Sequence, residues 1–249
     1  MKYIGLLVIL IGMLISCKKE GLTAYTEEPR IYFNLLRAEL HNTHPNSFAN
    51  NILVDFSSEP RKVQTDTLLL RVQASGLALD IDRPFTLSVI ENGFNGQVGL
   101  DYKILNEQLF IPAGGYDTVV YVVALRQPDM TTEQRTFAFR LEANDYFGLG
   151  PLADTLTNNY KRVTEVKIRA RDILTKPQNW DTFLANHFGS YSETKYRFMI
   201  DVLERSTIPT GTSASTMRGY VSKLTNALNE YNTTHPKPLT DENGDLVEF

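Results

Sequence analysis

The sequence predicts a mainly β protein: an immunoglobulin-like antiparallel β-sandwich, followed by a small α-helical subdomain with a terminal β-hairpin. Three observations carry this. From Ile31 to Arg171, apolar residues recur at every second position in short runs, the period of a half-buried strand. Between the runs lie Gly76, Asn92-Gly93, Asn95-Gly96, Gly114-Gly115 and Gly148, residues that supply positive φ or end strands. After Thr175-Lys176-Pro177 the apolar spacing switches to three and four, the period of an amphipathic helix.

Taken in order, the strands read as Ile31, Phe33 and Leu35; Ile52, Val54 and Phe56; Leu68, Leu70 and Val72; Phe85, Leu87 and Val89; Phe137, Phe139 and Leu141; and Val166 with Ile168. Each set alternates with polar or outward residues, so each run has one core face. Thr118 to Leu125 is more continuously apolar and is expected to be a central strand covered on both sides. The Cys pair and partner Trp of antibody domains are absent, but sandwich architecture does not depend on them.

In the last third, Phe183, Leu184, His187 and Phe188 share a helical face that ends at Gly189. Ser190-Tyr191-Ser192-Glu193 has capping-box spacing for a second helix with the stripe Tyr196, Met199, Ile200 and Leu203. Ser213 is the capping candidate of a third, with Met217, Tyr220, Val221, Leu224, Leu228 and Tyr231 as its stripe. Asp241-Glu242-Asn243-Gly244 then signals a hairpin between Leu239 and the run Leu246 to Phe249. Trp180 is expected at the junction of the two regions, where apolar surface would dock helices on sandwich.

The N-terminus has Lys2, then an apolar stretch from Ile4 to Ile15, then Ser16 and the only cysteine, Cys17. The stretch is too short for a permanent span and reads as a secretory signal. Its end resembles the bacterial lipobox, which implies cleavage before Cys17 and acylation of that residue. The expected organisation is a signal peptide over 1–16, a tether over 17–30, the sandwich over 31–174 and the helical subdomain over 175–249. Lys18-Lys19-Glu20 partly resembles the charged signals that send lipoproteins of the Bacteroidota to the cell surface. The expected location is the outer membrane, lipid-anchored, with a surface-exposed or a periplasmic face both open. A formal net charge of −4 argues against nucleic acid as a partner.

Several short motifs recur together: Ile31-Tyr32-Phe33, Gly76 with Asp80-Ile81-Asp82-Arg83, Gly99-Leu100-Asp101-Tyr102, Ile111-Pro112-Ala113-Gly114, Leu125-Arg126, His187-Phe188-Gly189, Tyr191-Ser192 with Lys195, and Asn243-Gly244. In this the chain resembles a domain-of-unknown-function family of Bacteroidota lipoproteins found beside starch-utilisation-type outer-membrane transporters. The resemblance implies a location and company, and carries over no catalytic residue.

Asp80, Asp82 and Asp101 have the oxygen donors a hard cation such as Ca²⁺ needs. The simpler reading is a hydrogen-bonded loop organised by Arg83, and no EF-hand spacing is present. His41 and His44 form an H-x-x-H pair without further identifiable ligands, and His187 reads as a core histidine. Trp180, Tyr191 and Tyr146 are aromatic planes able to stack on sugar rings, with core packing as the alternative. Thr67, Thr118 and Thr155 each follow an Asp and precede an aliphatic residue, resembling the O-glycosylation signal of exported Bacteroidota proteins. No phosphate loop, zinc helix, nucleophile elbow or dinucleotide fingerprint occurs, so no catalytic residue and no cofactor is expected. The function expected is a non-enzymatic accessory lipoprotein that binds a glycan, a peptide or a transporter component. A hydrolase acting on that ligand, or an adhesin or assembly subunit, remains open as the alternative.

Overall fold

The computed structural model describes residues 28–36, 51–150 and 160–249. The signal, Cys17, the tether up to residue 27, His41, His44 and Thr155 lie outside the described residues.

Two sheets form the first region. One is built from β1 (Arg30–Leu36), β3 (Thr65–Ser75), β6 (Tyr102–Ile104), β8 (Asp117–Leu125), β10 (Gly148–Leu149) and β11 (Tyr160–Val163). Its order is β10-β1-β3-β8-β6, and β1 also pairs with β11. The other runs β2 (Asn51–Asp55), β12 (Glu165–Arg171), β9 (Arg135–Glu142), β5 (Thr86–Val89). The small pair β4 (Arg83–Pro84) and β7 (Phe110–Ile111) stands apart.

The alternating residues point inward as expected. Ile31, Phe33, Leu70, Val72, Val120 and Val122 from the first sheet share one buried cluster with Phe137, Phe139, Val166 and Ile168 from the second. Tyr102 stacks on Phe137, with ring centroids 4.2 Å apart, and joins the two layers. The expected all-antiparallel pairing is corrected, because β1 with β10 and β2 with β12 are parallel. Parallel partners are joined through long connections, so neither pairing leaves a local turn signal. β8 does lie inside its sheet, but on its outer face Val123 is buried while Tyr121 is exposed, so cover on that face is confined to one end. Tyr32, outward by alternation, is nonetheless buried, since β10 continues into Gly150 against it. A Cβ on Gly150 would come within 2.7 Å of the Tyr32 Cβ.

The helical region begins with a wide π-helical turn, Trp180–Leu184, that runs into α1 (Ala185–Phe188) and stops at Gly189 with φ +73°. In α2 (Glu193–Leu203) the cap is Ser192, whose Oγ accepts from the Lys195 amide at 3.2 Å. This corrects the cap from Ser190, so Glu193 falls at the first helical position rather than the third. α3 (Ala214–Thr234) is capped by Ser213 as expected. The terminal hairpin is minimal: one antiparallel bridge joins Thr240 and Leu246, with Gly244 at φ +89° and the Asp241 carboxylate accepting from the Asn243 and Asp245 amides. Trp180, Leu184, Phe188, Met199, Ile200, Met217 and Leu224 form a second buried cluster, separate from that of the sheets.

Candidate functional site

The two clusters meet across a polar seam. Asp172, just past the end of β12, is buried, and its Oδ2 accepts from Arg126 Nε at 2.9 Å while its Oδ1 accepts from Arg197 Nη2 at 2.9 Å. Arg126 Nη2 also approaches Oδ2 at 2.8 Å, as an ion contact outside hydrogen-bond geometry. Both guanidiniums donate further to main-chain carbonyls, Arg126 to Pro60 and Val63, Arg197 to Ser57. A buried carboxylate is tolerated only when its charge is met in this way. Nearer solvent, the Arg61 amide and Nε both donate to Asp201 at 2.6 Å, and Lys62 pairs with Glu204.

Above this seam lies a cleft of about 680 Å³. Its sheet side is Arg61, Thr131 and Asp172; its helix side includes Glu193, Thr194, Arg197, Phe198, Tyr231, His235 and Glu242. A smaller hollow of about 200 Å³ shares Arg61, Thr131 and Asp172 with it. One wall is aromatic. His235, at the C-terminal end of α3, stacks on Tyr231 one turn earlier with centroids 3.7 Å apart and planes 12° apart, and Phe198 meets Tyr231 edge-on at 6.3 Å. His235 Nδ1 lies 2.9 Å from the Tyr231 carbonyl, which can only accept, so the proton is assigned to Nδ1 and Nε2 is the acceptor of the neutral ring.

The opposite rim is the N-terminus of α2. Glu242 reaches back from the terminal turn to accept from the Glu193 amide at 2.6 Å and from the Thr194 amide and hydroxyl. It thereby satisfies donors that a helix start leaves open. Partial burial pushes the Glu242 carboxyl up, but these hydrogen bonds outweigh it and hold it below the usual carboxylate range. A general acid needs the reverse shift. Asp172 is likewise committed to two guanidiniums, so Glu242 and Asp172 serve structure and charge.

The residues singled out in the sequence are not brought together here. Trp180 is 0% exposed, its indole N–H donates to the Gly189 carbonyl, and Tyr191 and Tyr196 meet it edge-on at 5.0 and 5.6 Å. It therefore has no face for a ligand and is not the junction residue; it is the centre of the helical core. Tyr191 is half-buried beside it, and burial first, then Glu193 and Glu242, push its hydroxyl up to about 12. Tyr146 is exposed at the far end of the two sheets. Asp80 is exposed, Asp82 accepts from the Ala113 amide at 2.9 Å, and Asp101 is buried, accepting from the Gln97 amide with Arg135 at 3.4 Å. Among the described residues no group of three His, Cys, Asp or Glu is placed to hold a metal ion. Thr67 is exposed on β3, whereas Thr118 is half-buried on β8. His187 is half-buried between Phe183 and Phe188.

Sequence reasoning missed the seam and the Tyr231–His235 pair. The available signals were Arg197, a charge beside the apolar stripe of α2, and the four-residue spacing of Tyr231 and His235 at a helix end.

Over residues 25–205 the sequence matches the family described as "Domain of unknown function (DUF4843)", and the chain belongs to that family. No curated protein matches it in sequence. Among solved structures it is similar to a candidate carbohydrate-binding protein of Bacteroides ovatus, at 14% identity and a TM-score of 0.33, over 58% of this chain and 37% of that one. It is similar to a protein of unknown function from the same organism, at 14% identity and a TM-score of 0.35, over 56% of this chain and 43% of that one. It is also similar to the CupB2 chaperone of Pseudomonas aeruginosa, at 10% identity and a TM-score of 0.30, over 55% and 59%. The chain thus spans less than half the length of the first two. Likeness at this level carries no ligand or activity with it.

Proposed function

We propose that this chain is a non-enzymatic accessory lipoprotein of the outer membrane, anchored through Cys17, whose cleft between sheets and helices binds a glycan. In this reading the immunoglobulin-like sandwich (31–174) and the helical subdomain (175–249) are the two walls of one binding site, and the protein works beside a starch-utilisation-type transporter. The observation that carries it is the Tyr231–His235 plane, set in a cleft that also offers Arg61, Thr131 and Glu193. Sugar rings present a C–H face that packs on aromatic planes and a hydroxyl edge that needs charged and polar partners.

The test is titration with neutral oligosaccharides, followed by NMR shifts of cleft amides. Tyr231→Ala is expected to weaken binding about tenfold, while Tyr231→Phe keeps it. If no oligosaccharide moves the amides of Thr194, Phe198 and His235, the glycan reading is wrong.

A further inference from the structure

The end of the sandwich remote from the cleft carries an apolar loop. In the turn from β3 to β4, Leu77 is 61%, Leu79 43% and Ile81 51% exposed, and Tyr116 beside them is 46% exposed. These tips are held out by a built support. The Gly114 amide donates to the Leu79 carbonyl at 2.8 Å, and the buried Arg83 guanidinium donates to the carbonyls of Leu77 and Gly115 while lying 5.0 Å over the Phe147 ring. The Leu77 and Leu79 carbonyls thus have partners within the fold, which fixes the loop main chain and leaves the side chains pointing out.

This end is also where the described chain begins. Gly76 packs on Pro29 so closely that a Cβ there would lie 3.0 Å from the Pro29 Cα, and Gly148 borders Glu28 in the same way. From Cys17 to Glu28 there are eleven peptide steps, which reach at most about 40 Å fully extended. β8 starts at Asp117, beside Tyr116, and ends at Leu125, next to Arg126 of the seam. Its length, about 30 Å, separates the apolar loop from the cleft.

We infer that Leu77, Leu79, Ile81 and Tyr116 dip into the surface of the bilayer that holds Cys17, so that the protein stands end-on with its cleft turned outward. The inference rests on the lipid-anchor reading. Aliphatic tips gain by leaving water, and a tyrosine suits the headgroup level, with its ring in the apolar boundary and its hydroxyl wet. Anchoring makes the contact intramolecular, so a small apolar area suffices. Exposed Asp80 and Asp145 at the same end set the lipid class: they favour zwitterionic headgroups that present an ammonium and disfavour an anionic surface.

The experiment uses the full lipidated chain in vesicles of phosphatidylcholine and phosphatidylethanolamine. Acylated Cys17 is a thioether, so wild type should not react with a maleimide, and a single new cysteine can carry an environment-sensitive fluorophore. The label in Leu79→Cys should shift to the blue and be quenched by bromine-labelled acyl chains. The label in Val98→Cys, which is 71% exposed near the far end of β8, should do neither. Adding phosphatidylglycerol should reduce the Leu79 shift, and Asp80→Asn should restore it. If both labels stay water-like in protein whose Cys17 is blocked, the end-on contact is refuted and the anchor stands. If wild-type Cys17 reacts freely, the anchor reading falls and the contact falls with it.

Discussion

The sheet region and the helical region fill their interiors differently. The sheets close over aliphatic and phenylalanine side chains, with Tyr102 on Phe137 as their aromatic bridge. The helices close around Trp180, and several of the groups packed there carry polar handles. The indole donates to Gly189, the Tyr196 hydroxyl to Ser206, and the Lys195 ammonium to the carbonyls of Phe188 and Ser190. Burial lowers the pKa of that ammonium, and the carbonyls offset what it loses in water. Neither core reaches into the other. The buried link between them is a carboxylate between two guanidiniums, flanked nearer solvent by Arg61 with Asp201 and Lys62 with Glu204, and such contacts depend on geometry where an apolar seam would depend on area.

The largest effects should come from emptying one core at a time. Trp180→Ala and Phe139→Ala are each expected to cost about 3 to 5 kcal/mol. Hydrogen exchange in dilute urea should show the first loosening α1 to α3 ahead of the strands, and the second doing the opposite. If either variant strips protection from both regions alike, the cores are not independent. Asp172→Asn keeps the shape of the seam and removes its charge, at an expected cost of about 1.5 to 3 kcal/mol. Trp180 is the sole tryptophan, so its fluorescence follows the helical region. In this variant the fluorescence transition should part from the far-ultraviolet dichroism of the strands, and coincident curves would mean the seam carries little of the coupling.

Much of this architecture is legible in the sequence because it is local. Alternation places Ile31, Phe33, Phe137 and Phe139 inside, and the three-and-four stripe places Met199, Ile200, Met217 and Leu224 inside. β6, β7 and β10 have too few residues to show a period. The seam is hidden for another reason. Arg126, Asp172 and Arg197 are far apart in the chain, and each alone looks like a surface charge. Trp180 reads in the sequence as a junction or a sugar platform because a large aromatic announces burial or binding but not the partner. Asp101, grouped with Asp80 and Asp82 as a cation site, instead accepts a local amide beside Arg135.

Smaller effects sharpen the contrast within the helical region. Ser192→Ala removes the cap of α2 and should cost about 1 kcal/mol, read as a lower melting temperature. Glu242 should matter on the acid side. Its carboxyl is held below its ordinary value, so its contribution is fully present above about pH 4.3 and is lost as pH falls through the lowered value. Glu242→Gln should therefore lower helical-region stability at neutral pH and flatten its acid limb, so that variant and wild type converge at low pH. An unaltered acid limb would show that the Glu193 and Thr194 amides are met by something else.

The reach of Glu242 back to Glu193 has a consequence for the order in which the molecule can be assembled. Every described strand of the two main sheets has been delivered once Arg171 has left the ribosome. The helical core is not complete until Val247 is buried and Phe249 has stacked on Phe198, 5.9 Å from centroid to centroid. During that interval Asp172 has Arg126 as its buried ion partner but not yet Arg197. Vectorial delivery would therefore produce closed sheets with a carboxylate at their edge that still has one oxygen, Oδ1, without its guanidinium. That site offers the emerging α2 a guanidinium-sized place to land, so the sheet region acts as the template on which the later helices find their register.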